Sequence, residues 1–585
     1  MVPPPPVLPS TDQTSSGPIP STSLPVPSQS HPMVTRSKHG IYKPKVFHVK
    51  VDYSVTEPPS YAVAAKHPQW VAAMNSEFQS LQKQHTWSLV PLPSAKNVVT
   101  CKWVYRLKKH ADGSIARYKA RLVARGYMQQ HGLDFDETFS PVVKPTTVRL
   151  LLALAVHHGW ELRQLDVSNA FLHGILKEEV YMKQPQGYVD PKFPSHVCLL
   201  HKALYGLKQA PRAWFERFTT HLFHIGFSAS GADGNLFIYC HDGQLVFLLL
   251  YVDDIILTGS DKKFTASIIQ LLSSAFDLKD LGLLHYFLGL QIEYTDSGLF
   301  VHQTKYATDL LTKFAMVDCK PCKSPCSPNQ HLLPNDSPSL SDPSSYRSLV
   351  GALQYLTFTR PDLSFAVQQA CQYICSPTQN HLQAAKRILR YIRGTLHFGI
   401  AFTPGFPSLS AYCDADWAGD PVDRRSISGL VVFFGNCPIT WSAKKQSTVS
   451  RSSTEAEYRA LASTAAELYW IRMLLRDLGI FLSTPPLLWC DNVSALAIAS
   501  NPVFHARTKH IEVDYHFVRE KVLRKDLLIK YISSNDQLAD IFTKGLPSSR
   551  FHWLTSKLMW KFPFRLRGDE SNGTSNCKIE EITDE

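Results

Sequence analysis

The sequence predicts a multidomain chain of mixed α+β and α/β architecture. Its 585 residues exceed what one hydrophobic core supports, and 44% hydrophobic with 11% aromatic residues is enough for several packed cores. Segments with the two-residue alternation of strands follow segments with helical spacing along the chain. No apolar run approaches the length of a membrane-spanning helix, so we expect no membrane partner.

The first 60 residues form a segment of distinct composition, because they hold 13 of the 39 prolines. Ser and Thr fill most of the gaps, which is typical of a disordered, extended leader over 1–60. The chain start lacks the basic and apolar regions of a signal peptide. Twelve cysteines at irregular spacing are typical of free thiols in a reducing compartment, so we expect a protein that is not secreted.

The next elements are a helix and a basic hairpin. Apolar residues over 70–81 recur at three- and four-residue spacing, which predicts an amphipathic helix. Two β-rich runs over 98–107 and 115–123 predict a hairpin. Basic side chains flank it, among them Lys119 and Arg121, and such a hairpin is either a solvated face or a clamp for phosphates.

Two adjacent acids interrupt the apolar run 246–257. Burying Asp253 and Asp254 together is costly unless a cation compensates, so we predict a tight hairpin with both acids at its tip. A pair of acids can also be ordinary turn chemistry. Asp166, however, ends another predicted strand, and three acids from two strands suit two Mg²⁺ ions, as in nucleotidyl transfer to a 3′-hydroxyl.

Family-like text runs in order along the chain from about Tyr61 to Pro547. Eight motifs between residues 102 and 292 are its most specific part. They are KWVYRLK, RYKARLVARGY, ETFSPVVK, QLDVSNAFLHG, EEVYMKQPQGY, KALYGLKQAPRAWF, YVDD and HYFLGLQI. In this text the chain resembles the reverse transcriptase and RNase H portion of Ty1/copia-type retrotransposon Pol polyproteins, close to those of plants. The resemblance implies a right-hand polymerase with fingers, palm and thumb, followed by a connection and an RNase H-like domain.

The same resemblance implies cofactors, partners and residue roles. It implies two Mg²⁺ ions per active site, with Mn²⁺ as a substitute, and an RNA template, a DNA primer, RNA–DNA hybrids and dNTPs as partners. Gag and integrase proteins of the element would be further partners, in a cytoplasmic virus-like particle or in the nucleus. Asp166 and Asp253 resemble the metal-bridging pair and Asp254 the third carboxylate; these three are called the palm acids below.

Five further residues are implied to bind the incoming nucleotide. Phe171 resembles the steric gate against a ribose 2′-hydroxyl, although a plain core aromatic is the alternative. Lys119 and Arg121 resemble the finger side chains on the triphosphate, without a choice between them. Gly206 and Lys208 resemble the loop that supports the pocket, and the segment 287–290 resembles the primer grip.

A second series of acids follows near the C-terminus. Asp414 ends a predicted strand, Glu457 lies in the first turns of a helix with Thr454 as N-cap, Asp491 ends another strand and Asp540 begins a late helix. These four residues are called the C-terminal acids. They predict a second two-metal site, for phosphodiester hydrolysis, and they resemble the RNase H carboxylates.

Two acids compete with members of this second series. Asp416 is the alternative to Asp414 in the first position, and Glu455 is a weaker alternative to Glu457. The loop 533–536 has no His where many RNases H carry a mobile one, which we expect to affect the rate rather than the reaction.

These segments predict five regions. They are a leader over 1–60, reverse transcriptase fingers and palm over 61–317, a linker with thumb or connection helices over 318–405, an RNase H-like domain over 406–548, and a tail over 549–585 that is acidic from 568. Lys386, Arg390 and Arg393 share one side of a predicted helix, which suits the phosphates of a duplex. A net charge of +12 also favours nucleic acid.

Three functions agree with these features. The first is an active, Mg²⁺-dependent RNA- and DNA-directed DNA polymerase with RNase H. The second is a catalytically silent or domesticated retroelement protein that binds nucleic acid, and the third is a different right-hand polymerase such as a maturase-like enzyme. Both series of acids are intact, which favours the first. No gag-like zinc knuckle, protease site or integrase core is visible, so we expect the C-terminal part of a polyprotein or a truncated gene.

Overall fold

The computed structural model describes the chain from the end of the predicted leader to Lys561. The described residues are 53, 55–94, 96–109, 114–328, 331–500 and 512–561. Most of the leader and the acidic tail from 568 therefore lie outside the described residues. The described residues from Pro58 to Lys561 form one compact unit, so the region boundaries within it stay predictions. No helix among the described residues combines the length and apolarity that crossing a bilayer requires.

The first described part contains the predicted helix and the predicted hairpin. Its elements are α1 (Tyr61–Ala64), α2 (Pro68–Lys83), β1 (Trp87–Val90), β2 (Val98–Val99), β3 (Cys101–Lys109), β4 (Ile115–Ala124), α3 (Pro145–His158), β5 (Leu162–Val167), β6 (Ile175–Lys183) and β7 (Val197–Lys202). Helix α2 buries Trp70, Met74 and Leu81, as its spacing predicts. Strands β3 and β4 pair as an antiparallel hairpin next to a four-stranded sheet of order β1-β7-β6-β2.

The second part is a six-stranded sheet that carries the palm acids. Its further elements are α4 (Ala210–His224), β8 (Ser228–Ala229), β9 (Leu236–His241), β10 (Gln244–Tyr251), β11 (Asp254–Gly259), α5 (Lys262–Ala275) and β12 (Leu278–Leu283). The strand order is β12-β5-β11-β10-β9-β8, so β5 and β11 lie side by side in the interior of the sheet. Consecutive residues of β10 and β11 are buried, so both faces of these strands are covered, which explains why the strands are almost entirely apolar.

A smaller sheet and four helices follow. They comprise β13 (Tyr286–Phe287), β14 (Leu290–Thr295), β15 (Gly298–His302), α6 (Thr304–Lys313), α7 (Pro343–Leu356), α8 (Ser364–Cys371), α9 (Gln379–Gly394) and β16 (Phe398–Phe402). β13 and β14 form a hairpin that contains the segment 287–290, with positive φ at both turn residues, Leu288 and Gly289. β16 pairs with β15, so the helical segment returns to the sheet it left.

The last part is a mixed sheet covered by a long helix. Its elements are β17 (Leu409–Ala415), β18 (Ile427–Phe434), β19 (Cys437–Lys445), α10 (Ser453–Asp477), β20 (Leu487–Cys490), α11 (Val493–Ser500), α12 (Glu512–Leu523), β21 (Leu528–Tyr531), α13 (Asp540–Thr543), α14 (Ser548–Leu558) and β22 (Trp560–Lys561). The order is β19-β18-β17-β20-β21, with antiparallel pairing up to β17 and parallel pairing beyond it. The order of elements is thus that of the expected fold, a right-hand polymerase fold followed by connection helices and an RNase H-like domain.

One predicted detail of α10 is wrong. The N-cap is Ser452, whose side chain accepts a hydrogen bond from the backbone N–H of Glu455, and the helix therefore begins before Thr454. Ser, Thr and Asn are nearly equivalent caps, so the three consecutive residues Ser452, Ser453 and Thr454 could not be ranked from sequence.

A buried arginine joins helix α3 to strand β19 of the C-terminal sheet. The Arg149 guanidinium, on α3, donates to the carbonyl oxygen of Phe358 at 2.8 Å and to that of Ile439 at 3.0 Å. It also lies over the Trp441 ring, 3.7 Å from the ring centroid. A buried charge of this kind is tolerated because hydrogen bonds and an aromatic face replace its water.

We predict that Arg149→Met destabilises the protein by about 3 kcal/mol, because two buried carbonyl groups lose their donor. Denaturant unfolding followed by circular dichroism measures the change. Arg217→Met, at an exposed arginine on α4, is the control and should change stability by no more than about 0.5 kcal/mol. Equal effects of the two substitutions would contradict this role of Arg149.

Candidate active sites

The palm acids meet at the tip of the β10–β11 hairpin. Val252 and Asp253 form its turn, and Val252 has a φ of +53°, which is unusual for a β-branched residue. Asp254 begins β11 directly opposite Asp166 on β5. Opposite residues of an antiparallel pair point to the same face, with Cβ atoms about 5 Å apart. The backbone of Asp253 is held next to them, because its carbonyl oxygen accepts from the Val167 N–H at 2.9 Å.

The palm acids repel one another. Burial, together with the charges of Asp253 and Asp166, raises the pKa of Asp254 to about 6. Burial and the charge of Asp166 also raise the pKa of Asp253 above its usual value. A divalent cation would relieve this repulsion, and the carboxylate chemistry fits Mg²⁺.

Two basic side chains of the finger hairpin face the palm acids. Burial and the neighbouring positive charges lower the pKa of Lys119, and the charge of Asp166 acts in the opposite direction. The charges of Lys119 and Arg121 in turn counteract the raised pKa of Asp253. Arg121 is partly engaged already, since its guanidinium lies 2.7 Å from the carboxylate of Glu77. Sequence reasoning missed Glu77, which sits on α2 and gives no local signal.

The other predicted nucleotide contacts surround the same region. Phe171 is half-buried, and its ring centroid lies 4.6 Å from that of Tyr205. Gly206 has a φ of +92°, and a Cβ at this position would lie 2.1 Å from the carbonyl oxygen of Ala124 on β4. Only glycine therefore allows this loop to pack against the finger hairpin.

Lys208 is held by a neighbouring segment of the fingers. Its ammonium donates to the carbonyl oxygen of Gln129 at 3.1 Å and lies over the Phe135 ring, 4.7 Å from the centroid. These contacts fix the supporting loop, and a contact of Lys208 with a nucleotide stays a prediction.

The C-terminal acids converge from four elements. Asp414 lies near the end of β17, and Asp491 follows the neighbouring parallel strand β20, so both reach the same sheet edge. Glu457 comes from α10 and Asp540 begins α13. Burial, followed by the charges of Asp414, Cys490 and Asp491, raises the pKa of Glu457 to about 10.

The two competing acids have other partners. The carboxylate of Asp416 accepts a hydrogen bond from the backbone N–H of Ile427. Glu455 accepts from the Arg451 backbone N–H at 2.9 Å and pairs with Arg459 at 2.9 Å. Among the described residues Glu457 has no such basic partner, and the choice of Asp414 over Asp416 stays a prediction.

A lysine that sequence reasoning missed lies among the C-terminal acids. The Lys544 ammonium lies 3.3 Å from the carboxylate of Asp414 and 2.7 Å from that of Asp540. Burial alone would lower the pKa of Lys544, but these two charges raise it above its usual value. Thr543 also donates to Asp414, and Arg550 lies 3.3 Å from Asp540. The signal was available, because Lys544 follows Asp540 by four residues, the spacing of a helical ion pair.

The opposite side of this site fits a divalent cation. Glu457, Cys490 and Asp491 each offer one ligand atom, and these atoms all lie within 4.8 Å of one another. In the described ranges this is the one set of three such side chains that meets that distance. Glu457 Oε2 and Asp491 Oδ1 are buried without a hydrogen-bond partner. Buried carboxylate oxygens are normally hydrogen-bonded, so these two atoms are suited to bind a metal ion.

The predicted duplex-binding side of α9 is partly covered. Lys386 is exposed, but Arg390 donates to the carbonyl oxygen of Lys320 at 2.8 Å and Arg393 donates to that of Val317. These contacts attach α9 to the segment 317–320. Phosphate binding by the three residues stays a prediction.

Comparison with known proteins agrees with this geometry. Residues 84–328 match the family model described as reverse transcriptase (RNA-dependent DNA polymerase). The chain is 48% identical over 530 residues to the "Retrovirus-related Pol polyprotein from transposon RE1" of Arabidopsis thaliana, covering 90% of this chain and 36% of that protein. It is 32% identical over 308 residues to a Ty5-1 transposon protein of Saccharomyces cerevisiae, covering 52% of this chain and all of that protein.

Among solved structures, the chain is similar to a foamy viral protease-reverse transcriptase in complex with RNA/DNA hybrid. The identity is 13%, the TM-score is 0.46, and the match covers 82% of this chain and 55% of that one. The family assignment therefore depends on the relatives found by sequence, and not on this solved structure. On their evidence, the chain belongs to the family of copia-type retrotransposon Pol polyproteins and contains its reverse transcriptase domain.

Proposed function

We propose that the chain is a Mg²⁺-dependent DNA polymerase that copies RNA and DNA templates and hydrolyses the RNA strand of RNA–DNA hybrids. The observation that carries the proposal is the convergence of carboxylates from distant segments into two groups, the palm acids and the C-terminal acids. The net charge of +12 persists despite these acids, and it suits a chain that holds a duplex along its surface.

In the polymerase site, each residue type has a distinct task. Asp166 and Asp253 would hold Mg²⁺, with Asp254 supporting them. Bound Mg²⁺ would activate the primer 3′-hydroxyl and neutralise the leaving pyrophosphate. Lys119 and Arg121 would bind the triphosphate, because both face the palm acids from the finger hairpin.

Two further features of this site concern the sugar and the primer. The Phe171 ring, which packs at a tilt against Tyr205, would exclude a ribose 2′-hydroxyl. The β13–β14 hairpin would lie under the primer end, and the Tyr355 hydroxyl donates to its turn at Leu288. This contact gives the hairpin a fixed support from α7.

In the hydrolytic site, the C-terminal acids would hold Mg²⁺, which supplies an activated water and stabilises the charge of the cleaved phosphate. Ser534 orients one of them, because its hydroxyl donates to the carboxylate of Asp491 at 2.7 Å. In the free protein, the positive charge of Lys544 partly balances the charges of Asp414 and Asp540. An RNA template, a DNA primer and dNTPs are the proposed partners, with gag and integrase proteins of the element as further ones.

We predict that Asp253→Asn abolishes Mg²⁺-dependent dNTP incorporation on poly(rA)·oligo(dT) and leaves hybrid cleavage intact. Glu457→Gln should have the reverse effect. Each loss should be roughly a thousandfold or more, because a missing metal ligand removes several kcal/mol of transition-state stabilisation. Both rates are measured on purified wild type and both variants.

The two variants control for each other, since each keeps the site that the other lacks. Folded wild-type protein without incorporation or cleavage above its variant would instead support the silent, nucleic-acid-binding alternative. Hybrid cleavage that survives in Glu457→Gln would contradict the assignment of the C-terminal acids.

We predict that Phe171→Val lowers the discrimination between dNTPs and rNTPs by roughly tenfold to a hundredfold, because the smaller side chain leaves room for a hydroxyl. Single-nucleotide incorporation with dTTP and UTP measures the ratio. Phe215→Val, at a half-buried aromatic on α4, serves as the control. If both variants keep the wild-type ratio, Phe171 is a core aromatic and not a steric gate.

A pH-dependent loss of stability is expected in chelator-treated protein. A carboxyl whose folded pKa is raised stabilises the fold below its unfolded pKa of 4.5, and this contribution is lost as pH rises towards about 10. Glu457→Gln removes the ionisable group. Its stability relative to wild type should therefore increase by about 4 kcal/mol from pH 5 to pH 8, at about 1.36 kcal/mol per pH unit over most of this range.

Denaturant unfolding at the two pH values, in EDTA, measures this difference. Glu455→Gln is the matched control, because Glu455 is paired with Arg459 and should show no such increase. A constant difference between Glu457→Gln and wild type would mean that Glu457 is not held as a buried, uncompensated acid.

A further inference from the structure

A buried thiol lies between two of the C-terminal acids. Cys490 is the last residue of β20, is fully buried, and precedes Asp491. Its sulfur and the carboxylate oxygens of Glu457 and Asp491 all lie within 4.8 Å of one another. We call these three residues the mixed site, because it offers two hard oxygen ligands and one soft sulfur ligand.

The mixed site has ligand oxygens that no hydrogen bond from the described residues occupies. Glu457 is 7% exposed, and its Oε2 atom has no hydrogen-bond partner. Asp491 Oδ1 is buried and also lacks a hydrogen-bond partner, while its other oxygen accepts from Ser534. The Cys490 thiol contacts the Asn492 carbonyl oxygen at 4.0 Å and the Cys413 thiol on β17, and sulfur forms only weak hydrogen bonds.

The remaining two acids are already compensated. Lys544 lies between Asp414 and Asp540, and Arg550 and Thr543 add further donors. The C-terminal acids without a basic partner in the described part of the chain are therefore those of the mixed site.

The ligand types decide which cation binds most tightly. Mg²⁺ takes oxygen ligands and gains little from sulfur. Zn²⁺ and Co²⁺ bind sulfur and oxygen ligands in the same site. For a site that contains a thiolate, the affinity of Zn²⁺ is well above that of the hard cations. The palm acids include no cysteine, so the polymerase site lacks this preference.

We propose that the mixed site is a binding site for Zn²⁺ and related thiophilic divalent cations, with Cys490 as a thiolate ligand beside Glu457 and Asp491. Binding releases the thiol proton to solvent and forms one metal–sulfur bond. The bound ion competes with Mg²⁺ for Glu457 and Asp491, and it therefore blocks hydrolysis of the RNA strand without blocking DNA synthesis. The inference rests on the proposed hydrolytic function of the C-terminal acids.

The test uses the full chain and Co²⁺, whose bond to a thiolate gives a charge-transfer absorption band in the near ultraviolet. We expect wild type to show this band, Zn²⁺ to remove it by displacement, and a roughly hundredfold excess of Mg²⁺ to leave it. Cys490→Ser should lose the band. Cys437→Ser is the matched control, because Cys437 is also buried, on strand β19, but is not part of the mixed site.

A second variant keeps the test decisive if Cys490→Ser folds poorly. Glu457→Gln removes a ligand without changing a cysteine, and it should weaken Co²⁺ binding by roughly tenfold or more. The inference is overturned if wild type gives no band, if Cys490→Ser keeps it with unchanged affinity, or if equimolar Mg²⁺ removes it.

Parallel activity assays separate this inference from the proposed function. Zn²⁺ at the concentration that fills the mixed site should inhibit Mg²⁺-dependent hybrid cleavage and spare dNTP incorporation. Cleavage without a Cys490-dependent band would refute the thiolate site and leave the proposed hydrolysis standing. A Cys490-dependent band in a protein without cleavage would support the site and refute the proposed hydrolysis.

Discussion

The repulsion between buried carboxylates is the constraint on which the rest of this structure depends. The palm acids and the C-terminal acids come from strands and helices far apart in sequence, and folding removes much of their water. The consequence is visible in Asp254 and Glu457, whose pKa values rise to about 6 and about 10. A fold that only had to be stable would not gather these charges, so their convergence indicates a cation-binding function.

The protein compensates the two groups in different ways. Finger side chains approach the palm acids from a separate hairpin, so their positive charge stays available for a triphosphate. At the C-terminal acids, Lys544 is an internal counter-ion for one half of the site, while the half that contains Glu457 remains open to a metal ion. The buried Arg149 attaches the two sheets to each other, so both groups of acids belong to one continuous framework.

Much of this framework could be predicted from sequence, because local chemistry determines it. An apolar run interrupted by two acids predicts the β10–β11 hairpin, and helical spacing predicts α2 and α9. Contacts between segments that are distant in sequence have no such local signal. The pairing of β16 with β15, the Arg149 contacts and the engagement of Arg390 by the Lys320 carbonyl depend on segments that meet only after folding.

Choices between neighbouring residues were also beyond the sequence. Asp414 and Asp416 lie at the same end of β17, and only the structure reveals that Asp416 is engaged by the Ile427 N–H and Asp414 by Lys544. Ser452 and Thr454 are equally good caps, and the start of α10 depends on how the helix packs. Cys490 was unremarkable in the sequence because its role follows from a carboxylate on another element, Glu457.

The central claim is that both groups of acids hold divalent cations in one molecule. The most direct test is a crystal structure of the chain with a template–primer, an incoming dNTP and Mn²⁺, in which anomalous scattering locates the manganese. The account predicts anomalous peaks within coordination distance of Asp166 and Asp253 and, separately, of Asp414 and Glu457. Well-ordered carboxylates without a peak at either group would contradict it.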